Sequence, residues 1–296
     1  MPALSTPSTI GILGGGQLGR MMAMKAAEMG YKTHIYCPDK DSPAFEKATT
    51  HTCAAYDDEA ALKKFAASVD IITYEFENIP TAPLQVIADK LYPSISVLET
   101  CQHRIKEKET LNKLGIKTAP FWPVRSNADF VDAMREIGTP AILKTCTMGY
   151  DGKGQWKIES SNSLPELPYT SEYIYEGLVR FSKEISVIVA RNAAGDIKCY
   201  DPVENEHKNH ILHITYAPAN IQKSIAASAI QIATTIAEGL NLVGLLAVEM
   251  FVTTTNDVLV NELAPRPHNS GHWTMDACKT SQFEQVIRAI CGMPLG

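Results

Sequence analysis

The order of periodic segments over the first hundred residues constrains this chain most. An apolar run at Thr9 to Leu13 precedes a helical pattern from Gln17 to Met29, stopped by Gly30, and a strand-like run follows at Thr33 to Cys37. The series continues with a helix capped by Asp57 or Asp58 and running through Ala67, a strand at Asp70 to Tyr74, a helix after Thr81 and a short strand near Ile95. Strands that alternate with helices connect by crossovers, so this order predicts a parallel sheet. A charged helix from Glu99 to Leu114 stops at Gly115 and leads to Pro120 and Pro123, where a second unit begins.

From Asn127 the pattern reads helix to Ile137, strand at Ala141 to Cys146, glycine-rich loop at Thr147 to Gln155, and strand at Trp156 to Glu159. Runs of β type follow at Tyr173 to Tyr175, Ile185 to Ala190, Ile197 to Tyr200 and Ile211 to Tyr216. A helix from Ser224 to Glu238 then precedes a hairpin of Leu245 to Val252 with Val258 to Leu263.

Composition removes several function classes. With 45% hydrophobic and 20% charged residues the 296-residue chain is globular rather than disordered. Its longest apolar run, Leu242 to Val252, contains Glu249 and falls short of the ~20 residues of a membrane span. A net charge of −6 without a basic patch argues against nucleic acid. The N-terminal residues lack the charged and apolar regions of a signal peptide. Seven cysteines, odd in number and never in a C-x-x-C, predict reduced thiols in a cytoplasmic protein.

Gly14-x-Gly16-x-x-Gly19 follows a strand, opens a helix and has Asp39 beyond it, which is the spacing of a dinucleotide-binding turn. NAD is one reading; a plain tight turn, or a cradle for another ligand's phosphate at a helix N-terminus, are the others. A second phosphate-binding candidate is Lys144 with the loop Gly149-Tyr150-Asp151-Gly152-Lys153-Gly154-Gln155. Backbone N–H groups and an ammonium can fold over a polyphosphate there, although a flexible hairpin has the same composition. The loop lacks Walker A spacing and leads into a strand.

In the final hairpin, antiparallel pairing around Thr254 to Asp257 sets Glu249 opposite Glu262 and Phe251 opposite Val260. Like charges on directly opposed residues are destabilising unless a cation lies between them. Mg²⁺ or Mn²⁺ suits an all-oxygen site; a register slip, a protonated glutamate or pairing with Arg266 would serve instead. Beyond it, Pro265 to His272 carries Arg266 and His268, placed for an oxyanion or phosphoryl group. Zinc on His268 and His272 needs a helix that Pro265 and Pro267 oppose.

Gly14 to Gly19, Tyr74-Glu75-Phe76-Glu77-Asn78-Ile79-Pro80, Gly149 to Gln155, Asn261-Glu262 and Pro265 to His272 together resemble the N5-carboxyaminoimidazole ribonucleotide synthases of the ATP-grasp superfamily. The resemblance runs from about Thr9 to Gly296. It implies an α/β fold: a Rossmann-like domain over residues 1–100, a small ATP-grasp lid over 101–175 and a larger α+β core over 176–296. It also implies an ATP-dependent ligase that carboxylates aminoimidazole ribonucleotide with bicarbonate in purine biosynthesis, in a cytoplasmic homodimer. Another ATP-grasp ligase, or an NAD-dependent oxidoreductase, are the rival readings.

By the resemblance, Gln17, Leu18 and Glu75 face the ribonucleotide rather than NAD. Arg104 and Lys144 contact ATP phosphates beneath the mobile loop of Gly149, Tyr150, Asp151, Gly152, Lys153, Gly154 and Gln155. The hinge Glu176, Gly177, Leu178 and Val179 reads adenine, Glu184 accepts from the ribose, His207 adds a nucleotide contact, and Asn261 joins the phosphate end. Glu249 and Glu262 hold Mg²⁺, with Mn²⁺ as a substitute. Tyr150, Asp151, Arg266, His268 and Asn269 surround bicarbonate and substrate, with Asp151, Arg266 and His268 catalytic and Asp151 a candidate to take the amine proton. Family members continue into a C-terminal segment with a Lys and Arg motif, and nothing equivalent follows Gly292 to Gly296. The chain is therefore expected to be truncated or part of a fusion, and to retain ATP binding better than carboxylation.

Overall fold

The structure, a computed structural model, describes residues 3–149, 153–160 and 171–296. Its first unit comprises β1 (Thr9–Leu13), α1 (Gln17–Glu28), β2 (Lys32–Cys37), β3 (Thr50–Cys53), α2 (Glu59–Ala67), β4 (Ile71–Tyr74), α3 (Thr81–Leu84) and α4 (Ile95–Gln102). Its strands form a parallel sheet in the order β3-β2-β1-β4. The four residues of β4 are buried, as expected of a strand covered on both faces. Asp58 caps α2 by accepting from the Ala61 N–H at 2.9 Å.

One expectation fails in this unit, and one strand was not foreseen. The strand near Ile95 is instead α4; the edge position next to β4 is taken by a single parallel bridge, Ile72 to Leu91. Ile95, Val97 and Leu98 are buried, and that spacing suits a helix face as well as a strand. The polar edge strand β3, Thr-His-Thr-Cys, carries no apolar pattern by which it could be found.

The charged helix is broken. After α4, His103 takes an extended conformation (φ −124°, ψ 105°) and α5 (Arg104–Lys113) starts afresh. The break aims Arg104, Glu107 and Lys108 inward, and Glu107, Lys108 and Leu111 form the buried face. The lid then comprises β5 (Phe121–Val124), α6 (Asn127–Ile137), β6 (Ala141–Thr145), β7 (Gln155–Ile158) and β8 (Tyr173–Gly177), with an antiparallel sheet ordered β5-β8-β6-β7. Phe130, Leu143, Tyr173 and Tyr175 fill its core.

The third unit comprises β9 (Phe181–Arg191), β10 (Ile197–Cys199), β11 (Val203–Lys208), β12 (Ile211–Tyr216), α7 (Lys223–Gly239), β13 (Gly244–Thr253), β14 (Val258–Ala264), α8 (Thr274–Ala277) and α9 (Gln282–Ile290). Its antiparallel sheet runs β12-β11-β9-β13-β14, with β10 also on β9. β11, Val-Glu-Asn-Glu-His-Lys, escapes sequence reading because its inward positions include Asn205 as well as Val203. α7 covers one face; α9 and α1 share the other core with Ile188, Leu245 and Ala247. Among the described residues no helix is long and apolar enough to cross a membrane.

The turn before α1 is glycine by necessity. Gly14 has φ +109°, and a Cβ there would lie 2.3 Å from Glu75 Cγ. Gly14→Ala is expected to destabilise the fold by about 1–3 kcal/mol or more, through strained backbone and displacement of Glu75, as measured by urea unfolding.

Candidate active site

The glycine-rich turn holds an anion, but one of its own. Glu75, buried after β4, accepts from the Gly16 N–H and, at 2.8 Å, from the Gly19 N–H. These are donors that a helix N-terminus offers to a phosphate, so the carboxylate stands where the pyrophosphate of a dinucleotide would bind. Gln17 is exposed, while Leu18 is half-buried against the core.

A cavity of about 480 Å³ opens between the lid and the antiparallel sheet, with the loop after β4 and α5 on its flank. It gathers Arg104, Lys144, Gly149, Gln155, Glu176, Gly177, Leu178, Val179, Glu184, His207, Glu249, Asn261, Glu262, Arg266, His268 and Asn269. Gln17, Leu18, Glu75, Lys153 and Gly154 are not in its wall. Tyr150, Asp151 and Gly152 lie outside the described residues.

One wall is a ladder of alternating charge. Lys144 Nζ is 2.8 Å from Glu176 Oε2, and Lys108 Nζ is 3.5 Å from Glu176 Oε1. Burial alone would raise the Glu176 pKa, yet Lys108, Lys144 and Arg104 hold it down to about 2. Arg104 Nη1 is 3.0 Å from Glu262 Oε2. Burial likewise opposes ionisation of Glu262, and Arg104, Lys144 and His268 outweigh it, keeping its pKa below the usual carboxylate value. Glu107 differs: burial pushes it up to about 8 although its Oε2 accepts from the Leu263 N–H at 2.9 Å.

The hairpin has the expected opposition at its centre and a different register beyond. Glu249 pairs with Glu262, but a bulge shifts the loop side by one residue, so Phe251 meets Leu259 and not Val260. The extra residue is Asn261, and the bulge turns Asn261 as well as Glu262 to the cavity wall. His268 Nε2 is 3.0 Å from Glu249 Oε1. Among the described residues, the pairs with His268 and Arg104 engage one oxygen of each glutamate, which leaves the other oxygen of each for a cation. Together with the Asn261 amide oxygen, this all-oxygen set fits Mg²⁺ or Mn²⁺. His272 is stacked on Phe283 at 5.8 Å, and burial lowers its pKa, a packed side chain rather than a zinc ligand beside His268.

Arg266 is fixed by Glu77, donating through Nε and, at 2.9 Å, through Nη2 to Oε1. Glu77 thereby joins the loop after β4 to the segment after β14, a link that the sequence signals only through the family string. Glu184 Oε2 is 2.6 Å from His207 Nδ1, and this contact raises the His207 pKa above the usual histidine value. The apolar end of the cavity includes Ile142, Phe181 and Phe251; the two phenylalanine rings stack 4.6 Å apart. Phe251 was readable, because it follows Glu249 by two residues on one strand and shares its face.

Known proteins show the same organisation. The model of the ribonucleotide synthetase preATP-grasp domain matches residues 8–102, and that of the ATP-grasp domain matches residues 109–283. The chain is 46% identical to the N5-carboxyaminoimidazole ribonucleotide synthase of Bacillus subtilis over 98% of its own length and 77% of that relative. It is 49% identical to the bifunctional purine synthesis protein of Dictyostelium discoideum over 98% of its own length, but spans only 30% of that larger protein. The crystal structure of the Staphylococcus aureus N5-carboxyaminoimidazole synthetase complexed with ADP superposes with a TM-score of 0.96 at 40% identity, covering 100% of this chain and 80% of that one. With its parallel-sheet domain, lid, and carboxylate-bearing antiparallel sheet, the chain belongs to the N5-carboxyaminoimidazole ribonucleotide synthase family of ATP-grasp ligases.

Proposed function

We propose that this chain uses ATP to join bicarbonate to the amine of 5-aminoimidazole ribonucleotide, giving N5-carboxyaminoimidazole ribonucleotide, with ATP between the lid and the antiparallel sheet. The observation that carries this reading is the convergence, in one cavity, of Arg104, Lys144, Arg266, Glu249 and Glu262 with an apolar end at Ile142, Phe181 and Phe251. The apolar end suits a base, and the cationic end suits a triphosphate. The hinge Glu176 to Val179 supports the adenine assignment, and Glu184, beside His207, that of the ribose.

Bicarbonate is a poor electrophile. Phosphorylation by the γ-phosphate gives carboxyphosphate, whose loss of phosphate releases CO₂ for capture by the amine. Phosphoryl transfer depends mainly on positioning and charge neutralisation. Arg104 and Lys144 supply that charge from α5 and β6, and Arg266, held by Glu77, presents donors to bicarbonate and substrate, while His268, fixed between Glu249 and Ser270, lines the same cavity beside them. Mg²⁺ or Mn²⁺, when bound by Glu249 and Glu262, neutralises phosphate oxygens. We assign Asp151 the amine proton and Asn269 a substrate contact. The seven free thiols support a reducing, cytoplasmic location, and the family resemblance supports a homodimer.

The decisive experiment is thermal unfolding with Mg²⁺-ATP and, separately, NADH. At a hundred times Kd, Mg²⁺-ATP is expected to add about 2.7 kcal/mol of stability and NADH none. Stabilisation by NADH alone would overturn the ATP-grasp assignment of this site.

A further inference from the structure

At the root of the glycine-rich loop, three side chains without a role in the proposed ligase chemistry come together, of which Cys146 alone also lines the cavity. Cys146 follows β6 and is buried, His103 is the extended residue before α5, and Glu172 directly precedes β8. One potential ligand atom from each lies within 4.8 Å of the other two. His103 Nε2 stands 3.0 Å from Glu172 Oε2, and His103 Nδ1 is buried without a hydrogen-bond partner among the described residues. Main-chain bonds fix the group: the Arg104 N–H donates to the Cys146 carbonyl at 3.0 Å, and the Cys146 N–H donates to the Glu172 carbonyl at 3.1 Å.

Thiolate, imidazole and carboxylate are the donors that zinc accepts together, whereas Mg²⁺ and Ca²⁺ select oxygen alone. With Cys146 deprotonated, His103 neutral and Glu172 ionised, a divalent ion brings the group to zero net charge. Arg125, which also pairs with Glu172, is 65% exposed and can turn to water. We propose that His103, Cys146 and Glu172 form a zinc site with three protein ligands and a fourth position open to water. Burial and Glu172 push the free Cys146 thiol up to about 12, so the thiol proton leaves for solvent as the metal–sulfur bond forms. The ion would join the starts of α5 and β8 to the end of β6. Arg104, next to His103, also donates to the Gly149 carbonyl at 3.4 Å, so the bound ion would stiffen the base of the nucleotide loop.

The test uses the metal-free, reduced full chain, titrated with Zn²⁺ against a chromophoric chelator and with Co²⁺ for thiolate-to-cobalt charge-transfer absorption. One equivalent of Zn²⁺ and a cobalt band are expected. Cys146→Ser should remove the band, while Cys53→Ser, at an exposed thiol, should keep it. His103→Asn and Glu172→Gln, at less buried positions, should each weaken Zn²⁺ binding by at least roughly 10–100-fold. These two variants decide the matter if Cys146→Ser does not fold, with circular dichroism as the check on each. A cobalt band that persists in Cys146→Ser, or Zn²⁺ affinity unchanged in both His103→Asn and Glu172→Gln, would overturn the proposal.

Discussion

Lys108→Met is expected to lower the stability of the fold by about 3 kcal/mol at neutral pH, the lower end of what breaking a buried ion pair costs. The Lys108 side chain is 1% exposed, with its ammonium 3.5 Å from Glu176 and 3.4 Å from the Asn261 carbonyl. Methionine replaces the methylene packing and removes the ammonium, with its charge and its hydrogen bond to the Asn261 carbonyl. Lys144 remains 2.8 Å from Glu176, which is why the loss falls short of that for an unpaired buried carboxylate. The pH dependence separates charge from packing. Glu176 ionises at about 2 against an ordinary 4.5, so its ionic contribution is full above pH 4.5 and is lost as pH falls toward 2. The gap between parent and variant should therefore narrow in acid. Urea unfolding at pH 7 and pH 3 measures both, and a pH-independent gap would assign the effect to packing.

Glu249→Gln combined with Glu262→Gln is expected to lower ATP-dependent turnover roughly 10³-fold, corresponding to about 4 kcal/mol of transition-state stabilisation. The amides keep the shape of the carboxylates and an acceptor oxygen for His268 and Arg104, so the pairs at 3.0 Å persist as hydrogen bonds. What disappears is the negative charge on opposed residues of β13 and β14 that, on the proposed function, holds a divalent cation. ADP release in the presence of aminoimidazole ribonucleotide and bicarbonate is the readout, alongside the melting temperature without nucleotide. A loss below tenfold in a folded variant would mean that the cation is held elsewhere.

Much of the fold was legible because period and punctuation agree. The α6 span, the Asp58 cap and the β13–β14 pair follow from local rules. Ile95 to Leu98 misled because a short apolar run suits a helix or a strand equally, and a tertiary choice decided it. The charged α5 misled in another way: Arg104, Glu107, Lys108 and Leu111 follow a 3.6-residue period, but the period is carried by charges that face one another and, at Arg104 and Glu107, the cavity instead of water. The Glu249–Glu262 opposition could be read from hairpin arithmetic; the bulge at Asn261 could not, because only backbone geometry shows where an extra residue is absorbed. The Glu77–Arg266 link joins positions far apart in the chain, so no local rule shows it and only the family strings around the two residues signal it.

The carboxylate of Glu75 on the Gly16 and Gly19 N–H groups bears on whether the glycine-rich turn can accept a dinucleotide. A group tethered to its own receptor competes at an effective concentration that reaches the millimolar range even on a flexible linker, and a rigid strand end raises it further. Free dinucleotides would therefore meet a resident competitor and like-charge repulsion in the same pocket. Discrimination of this kind needs no steric gate: the domain keeps the architecture of a dinucleotide receptor while serving as its own antagonist. Converting it to NAD binding by design would have to begin by evicting Glu75, and would sacrifice the cap of α1 in the same step.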